Sequence, residues 1–109
     1  MSGPSEHEIQ QEILRDFGAR SDMRIWRNNT GKGLSFDAER VISFGLKGSA
    51  DITGILRGGR RLEIEVKDAR GRQSEKQKNF QHMIQSLGGL YILACSTEDV
   101  AEALAAEGF

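Results

Sequence analysis

The sequence predicts an α/β fold in which a mixed β-sheet is flanked by helices. Three observations predict it: two capping-box sequences that begin amphipathic helices, two short strands joined by a glycine-rich turn, and a strand–helix–strand unit near the end of the chain. The 109 residues are 38% hydrophobic and 28% charged. Such a composition excludes general disorder, and we expect residues 1–109 to form one domain with a single core.

The first helix is predicted over residues 5–17. Ser5 can cap its amino end, and Glu8 follows three residues later as in a capping box. One side of this helix is apolar at helical spacing, through Ile9, Ile13, Leu14 and Phe17. Residues 1–4, before the cap, are expected to be a disordered end.

Strand and turn signals alternate through the middle of the chain. Trp26 lies in the first of the predicted strands, where its apolar neighbours favour the core or an interface over a platform for stacked bases. The predicted elements are a strand at 23–27, a loop at 31–40, a short strand at 41–44, and two further strands at 52–56 and 61–67.

The turn between the last two of these strands decides which side chains meet. A two-residue glycine turn would place Asp51 opposite Val66, on the wrong side of the pleat. A three-residue loop at 57–59, with Gly59 in the left-handed region, places Asp51 opposite Glu65 at a Cβ separation of roughly 5 Å. We predict the three-residue loop, because it brings both carboxylates onto one face of the sheet.

The last third of the chain predicts a right-handed crossover and a final helix. Ser74 and Gln77 form a second capping box, which begins a helix that runs through Leu87. The continuous apolar run at 90–95 predicts a buried central strand, parallel to the strand that precedes the helix. The last helix is predicted over 97–106. The apolar positions of these two helices are Phe80, Ile84, Leu87, Val100 and Leu104.

Charge is unevenly distributed along the chain. Residues 52–95 carry eight bases and four acids, whereas residues 96–109 carry four acids and no base. The cationic part therefore surrounds Asp51 and Glu65, as a phosphate-binding face requires. A solvated surface of mixed charge explains the same distribution equally well.

Asp51, Glu65 and Lys67 are residue types that strands disfavour. Two carboxylates suit Mg²⁺ or Mn²⁺, and the carbonyl of Val66 is a further candidate ligand. Lys67 lies two residues beyond Glu65 and thus on the same face, where its ammonium can position a water or neutralise developing charge. The alternative is a solvent-facing pair of strands held by a surface salt bridge.

Two flanking helices offer further polar groups to this site. Glu6 lies on the inward face of the first helix and Gln77 on the inward face of the second. The alternatives are a helix-start charge for Glu6 and a purely capping role for Gln77. Glu63 is on the polar face but farther from Asp51, and we expect it to be exposed.

Several basic and amide side chains are candidates for contact with phosphate, although a plain surface role is at least as common for such residues. His82 falls on the exposed side of its helix, and Cys95 is expected to be a small buried hydrophobe. One cysteine and two histidines exclude an internal disulfide and disfavour a zinc site. The candidates for phosphate contact are Arg27, Asn29, Lys47, Arg70 and Arg72.

Three segments carry a resemblance to a known family: Gly48–Ile52, Glu65-Val66-Lys67 and Gln73–Gln77. In this order and spacing they resemble the VRR-NUC domain of the PD-(D/E)XK nuclease superfamily. Two further segments, Ser5–Gln10 and Trp26–Gly31, are similar to its stand-alone, phage-type members. The resemblance extends from about Glu6 to Ser96. One departure is Ala50, which stands where a proline often precedes the aspartate.

The resemblance implies a restriction-endonuclease-like fold, dependence on a divalent metal and cleavage of DNA phosphodiester bonds. It also implies a homodimer that acts on branched DNA such as a four-way junction, with Trp26 and the 32–47 segment as candidate contributors to the dimer interface. The family's first-helix glutamate matches Glu6 or Glu8, and the inward face favours Glu6. No small-molecule cofactor is implied.

The sequence thus predicts a metal-dependent DNA endonuclease, with Asp51, Glu65, Lys67, Glu6 and Gln77 at its site. A non-catalytic DNA-binding or scaffold module of the same fold and an RNA-directed nuclease are the alternatives. No apolar run approaches the roughly 18 residues of a membrane span, and no secretory leader is recognised. The cytoplasm, or the host cytoplasm for a viral protein, is the expected compartment.

Overall fold

The architecture is a mixed β-sheet flanked by three helices. A computed structural model describes residues 3–28, 31–34, 41–44 and 46–109. The described part contains no helix that is long and apolar enough to span a bilayer. The elements in chain order are α1 (Glu6–Phe17), β1 (Met23–Arg27), β2 (Gly31–Leu34), β3 (Val41–Phe44), β4 (Ile52–Leu56), β5 (Arg61–Val66), α2 (Glu75–Ser86), β6 (Leu90–Ala94) and α3 (Thr97–Ala106).

Four of the strands form one sheet in the order β1-β4-β5-β6, and β2 pairs with β3 in a separate two-stranded sheet. β4 pairs antiparallel with both β1 and β5. β5 and β6 are parallel and are joined through α2. The parallel pairing and the helical connection confirm the predicted strand–helix–strand crossover, and its right-handedness stays a prediction. The α/β class is confirmed.

The predicted capping boxes begin α1 and α2. The hydroxyl of Ser5 accepts a hydrogen bond from the Glu8 amide at 3.2 Å, and the Glu8 carboxylate accepts in turn from the Ser5 amide at 3.4 Å. Ser74 and Gln77 repeat the arrangement in α2, at 3.2 and 2.9 Å. These reciprocal bonds satisfy amide groups that the first helical turn leaves without partners.

The core has two layers, one on each face of the sheet. α1 and α3 cover one face with apolar side chains that include Ile13 and Leu104, both fully buried. α2 covers part of the other face through Phe80 and Ile84, which pack with Ala50 and Tyr91. Because the strands between these layers are buried on both sides, β5 has buried residues at five successive positions, 62–66.

The turn between β4 and β5 has the predicted three-residue length. The Leu56 amide donates to the Arg60 carbonyl at 2.9 Å, and Ile52 lies opposite Ile64. Gly59 has φ +91°, and Gly58 also has a positive φ, of +93°. Residues with a side chain rarely adopt this backbone region, which explains why both positions are glycine. The register confirms the prediction on which the carboxylate site depends.

Two expectations about the elements are wrong. Residues 31–34 form a strand rather than a loop, because backbone pairing with 41–44 orders a segment whose side chains show no strand pattern. β6 is an edge strand, not a central one. Its apolar run reflects the helices that cover both of its faces. The side-chain pattern of a strand does not indicate whether a further strand pairs with it.

Two side chains expected to be buried are exposed. Leu87 falls after the last residue of α2 and is 79% exposed, because the chain turns away at Gly88. Cys95 lies beyond the end of β6 and is also exposed. The disorder expected for residues 1–2 and the loop expected at 35–40 lie outside the described residues and stay predictions.

Candidate active site

Asp51 and Glu65 meet at one end of the β4–β5 pair. Asp51 immediately precedes β4, and its Oδ2 atom accepts a hydrogen bond from the Val66 amide at 2.8 Å. That bond holds the aspartate carboxylate against the end of β5. Glu65 is 2% exposed and lies on the face covered by α2. The structure therefore brings Asp51 and Glu65 together at the end of β5, and the contact of Asp51 with Val66 is through the Val66 amide. The predicted ligand role of the Val66 carbonyl stays a prediction.

Lys67 and Gln77 both contact the carboxylate of Glu65. The Lys67 ammonium lies 3.3 Å from Glu65 Oε2, and the lysine side chain is only 14% exposed. Gln77 Nε2 donates to the same oxygen at 3.1 Å, while Gln77 Oε1 accepts from the Ser74 amide at 2.9 Å. Gln77 thus has both of the roles that were weighed for it: it completes the helix cap and reaches the site.

Burial of Glu65, followed by the nearby charge of Asp51, raises the pKa of the Glu65 carboxyl to about 7, and Lys67 opposes this shift. Glu65 Oε1 is buried and has no hydrogen-bond partner among the described residues. An unpartnered buried carboxylate oxygen is costly. A cation at this oxygen would remove that cost, so the donor set fits a divalent ion with hard oxygen ligands.

Glu63 is buried rather than exposed, and the expectation for it is wrong. Its side chain has no exposed surface, and its Oε1 accepts from Arg61 Nη2 at 3.0 Å. Burial raises the pKa of the Glu63 carboxyl. The prediction assumed that the polar face of β5 meets solvent, but α2 and Tyr91 cover it. Glu63 Oε2 has no hydrogen-bond partner in the described part of the chain.

Glu6 approaches the site from α1 without joining the carboxylates. A Cβ atom placed on Gly71 would lie 3.1 Å from Lys67 Cβ and 3.2 Å from Glu6 Oε1, so Glu6 and the lysine stem flank the same glycine. Within the described ranges, no group of three or more acidic, histidine or cysteine side chains is close enough to hold a metal ion. A role for Glu6 stays a prediction.

Solved structures similar to this chain include the following two. One, described as "VRR_NUC domain", shares 18% sequence identity at a TM-score of 0.65, and the match covers 94% of this chain and 97% of the other. The second, "VRR_NUC domain protein", shares 18% identity at a TM-score of 0.63, with coverages of 97% and 89%. The chain has the VRR-NUC fold. Comparison of the sequence with family models and with curated proteins gives no match.

The described candidates for phosphate contact lie near the carboxylate end of the sheet in this VRR-NUC fold, with Arg27 on the opposite sheet face from Asp51. Arg27 ends β1 opposite Ile52, one residue from Asp51, and is exposed. Lys47 is exposed before β4, and the loop between Lys67 and α2 exposes two further arginines. Asn29 lies outside the described residues. All the described candidates are thus accessible to a ligand, and their contact with phosphate stays a prediction. The two loop arginines are Arg70 and Arg72.

Asn28 supports the site and was missed by the sequence reasoning. Its amide donates to the Asp51 carbonyl at 2.8 Å, and its side-chain Nδ2 donates to the Ala50 carbonyl at 3.0 Å. These two bonds hold the Asp51 segment against the end of β1. An asparagine after a strand is read as a turn signal, so its sequence position did not indicate this function.

Gly48 was noted in the motif, but its physical role appears only in the structure. Its φ is +78°, and a Cβ atom there would overlap the Lys76 carbonyl and lie 2.8 Å from the Gln77 amide. The glycine therefore lets the segment before Asp51 pack directly on the first turn of α2. That contact sets the position from which Gln77 reaches Glu65.

Proposed function

We propose that this chain is a divalent-metal-dependent nuclease that hydrolyses phosphodiester bonds in DNA. The observation that carries the proposal is the joining of Asp51, Glu65 and Lys67 on one sheet face, with Glu65 buried and one of its oxygens unpartnered. The VRR-NUC fold and the ordered motif at 48–77 support it. A buried carboxylate of this kind lowers stability, which is typical of functional sites.

Mg²⁺ or Mn²⁺ is the proposed cofactor. The carboxylates of Asp51 and Glu65 would hold the ion, with the Val66 carbonyl as the third proposed ligand. When bound, the ion supplies Lewis-acid polarisation of a phosphodiester oxygen and lowers the pKa of a coordinated water. The pairing of Asp51 with the Val66 amide orients one of the carboxylates in advance of binding.

The remaining groups position charge around the reacting phosphate. The ammonium of Lys67 neutralises negative charge that develops on the phosphate or orients the attacking water, and its low exposure strengthens that interaction. Gln77 is a positioning residue, because its amide holds the Glu65 carboxylate from α2. Glu6 is proposed to assist from α1, where it approaches the stem of Lys67.

The proposed substrate is branched DNA, and the proposed assembly is a homodimer. Exposed basic side chains near the site support binding of a phosphate backbone, since neutralisation of phosphates dominates affinity for DNA. Two sites related by a twofold axis would suit paired incisions in a symmetric junction. The substrate rests on the motif resemblance and on the exposed basic residues Arg27, Lys47, Arg70 and Arg72, whereas the homodimer rests on the resemblance alone.

The metal-binding step is tested by calorimetric titration with Mn²⁺ in the absence of DNA. We expect the unmodified protein to bind Mn²⁺ and Asp51→Asn to bind it about tenfold or more weakly, because the substitution removes a charged ligand. Glu102→Gln, on the exposed side of α3, is the matched loss of one carboxylate and should bind as the unmodified protein does.

Absence of Mn²⁺ binding by the unmodified protein would favour a non-catalytic DNA-binding module. Binding of Mn²⁺ by Asp51→Asn as tight as that of the unmodified protein would show that the ion does not bind at the β4–β5 end. Parallel titrations of binding and cleavage with RNA separate an RNA-directed nuclease from the proposed activity.

A further inference from the structure

The exposed tryptophan lies on the same sheet face as the candidate active site. Trp26 in β1 is opposite Thr53 in β4, and Thr53 is opposite Glu63 in β5. Residues two apart on a strand point to the same face, so Trp26 shares a face with Asp51. The two side chains are diagonal neighbours across adjacent strands, at roughly 7–8 Å. A ligand on the indole ring therefore lies within about one nucleotide of the carboxylates.

α2 covers only part of this face. It packs on β6 and on the segment before β4 through Phe80 and Ile84, which cluster with Tyr91 and Ala50. Thr53 in β4 is buried, but the Trp26 and Ile55 side chains on either side of it are left exposed. Trp26 is 49% exposed there, and Ile55 is 46% exposed. Of the two locations expected for Trp26, the core is excluded by this exposure, and an interface stays a prediction. Exposed aromatic surface rimmed by polar groups marks interaction sites.

Two arginines flank this apolar surface. Arg24 lies opposite Ile55, and Ile55 lies opposite Arg61, so all three side chains share the face of Trp26. The Arg61 side chain is 60% exposed, and its guanidinium is held by the buried carboxylate of Glu63 at 3.0 Å. Arg24 is exposed and makes no ion pair with any residue that the structure describes.

We propose that Arg24, Trp26, Ile55 and Arg61, here called the Trp26 strip, bind one unpaired nucleotide of DNA. The base stacks on the indole and Ile55, and the flanking phosphates contact the two guanidinium groups. A base in a duplex has both faces covered by its neighbours, so the strip selects strands that are unpaired beside the cut. This inference rests on the proposed nuclease function for its choice of DNA, and it gives that function a physical basis for selecting branched substrates.

Trp26 is the single tryptophan of the chain, so intrinsic fluorescence reports directly on the strip. In EDTA, where no metal-dependent cleavage occurs, the protein is titrated with a short single-stranded oligonucleotide, a branched DNA and a blunt duplex of the same sequence. We expect the first two to quench the emission and the duplex to leave it nearly unchanged.

Anisotropy of labelled branched DNA measures the contribution of the side chain. Trp26→Ala should weaken binding about tenfold or more, and Trp26→Phe should retain most of it, because phenylalanine still stacks. Leu87→Ala is the control, because it removes an apolar side chain that is 79% exposed beyond the end of α2. Its binding of branched DNA should be unchanged. Circular dichroism confirms that each variant is folded.

Two results would contradict the proposed binding of an unpaired nucleotide by the Trp26 strip. Binding of branched DNA without any change in Trp26 emission would place the unpaired strand elsewhere, while Mg²⁺-dependent cleavage would still support the nuclease. Emission that shifts with protein concentration alone, together with dimers that Trp26→Ala abolishes, would assign the strip to a second copy of the chain. Failure of the nuclease proposal is separate, since it appears as lack of cleavage by the unmodified protein in Mg²⁺.

Discussion

Replacement of Glu65 by glutamine is expected to stabilise the metal-free protein at neutral pH and to abolish DNA cleavage. Glutamine has nearly the same shape and still accepts from Gln77 at the position of Oε2, but it carries no charge that must be buried. It also reduces the charges that meet at the site to those of Asp51 and Lys67, which balance. Cleavage is expected to be lost because a neutral amide replaces an anionic ligand of the proposed metal ion.

The stabilisation depends on pH in a defined direction. The pKa of Glu65 is about 7 in the folded chain against an ordinary value of 4.5, so the unfolded chain loses this proton first as pH rises. Stability therefore falls between about pH 4.5 and 7, and the fall is absent for this position in Glu65→Gln. A pKa difference of one unit corresponds to about 1.4 kcal/mol. Above pH 7, the free energy of unfolding of Glu65→Gln should therefore exceed that of the unmodified protein by roughly 3 kcal/mol.

Urea denaturation of both proteins from pH 4 to 8, in EDTA, measures this difference. Glu102→Gln removes an exposed carboxylate from α3 and should follow the unmodified protein throughout. Parallel curves for Glu65→Gln and the unmodified protein, or a loss of stability in the variant at pH 8, would mean that the carboxylate is not held at a cost in the folded state.

Gly48→Ala is expected to destabilise the fold by about 2–4 kcal/mol and to reduce cleavage. The new Cβ would stand at φ +78° and overlap the backbone of Lys76, so backbone strain and overpacking both contribute. Relief of the overlap moves the first turn of α2 outward and withdraws Gln77 from Glu65. Urea denaturation gives the first effect, and cleavage at a temperature where the variant is folded gives the second.

Gly88→Ala separates the two contributions. Gly88 has φ +91°, close to that of Gly48, but a Cβ atom there would meet nothing within 4 Å. We expect this control to lose only about 1 kcal/mol, the cost of the backbone conformation, and to cleave DNA normally. Equal effects of the two alanines on cleavage would show that the contact with α2 does not position the site.

Local chemistry made much of this fold predictable from sequence. Capping residues and turn glycines act on their immediate neighbours, so the starts of α1 and α2 and the three-residue turn at 57–59 could be predicted. That turn length alone sets Asp51 on the face of Glu65, which is why the central pair of the site followed from the pattern.

The remainder depends on which element covers which face, and local patterns carry no such information. The burial of Glu63 and the edge position of β6 both follow from α2 packing across the second face of the sheet. The exposure of Trp26 has the same origin, because α2 stops short of β1. The contacts of Asn28 with the Asp51 segment join residues more than 20 positions apart in sequence.

The most direct test of the account is cleavage of end-labelled DNA by the unmodified protein and by Lys67→Ala. The substrates are a four-way junction, a flap, a nicked duplex and an intact duplex, each in Mg²⁺ and in EDTA. We predict cutting of branched DNA in Mg²⁺ alone, and a rate about a hundredfold lower for Lys67→Ala with binding retained. Full cutting in EDTA, an unchanged rate for Lys67→Ala, or binding without any cutting by the unmodified protein would contradict the account.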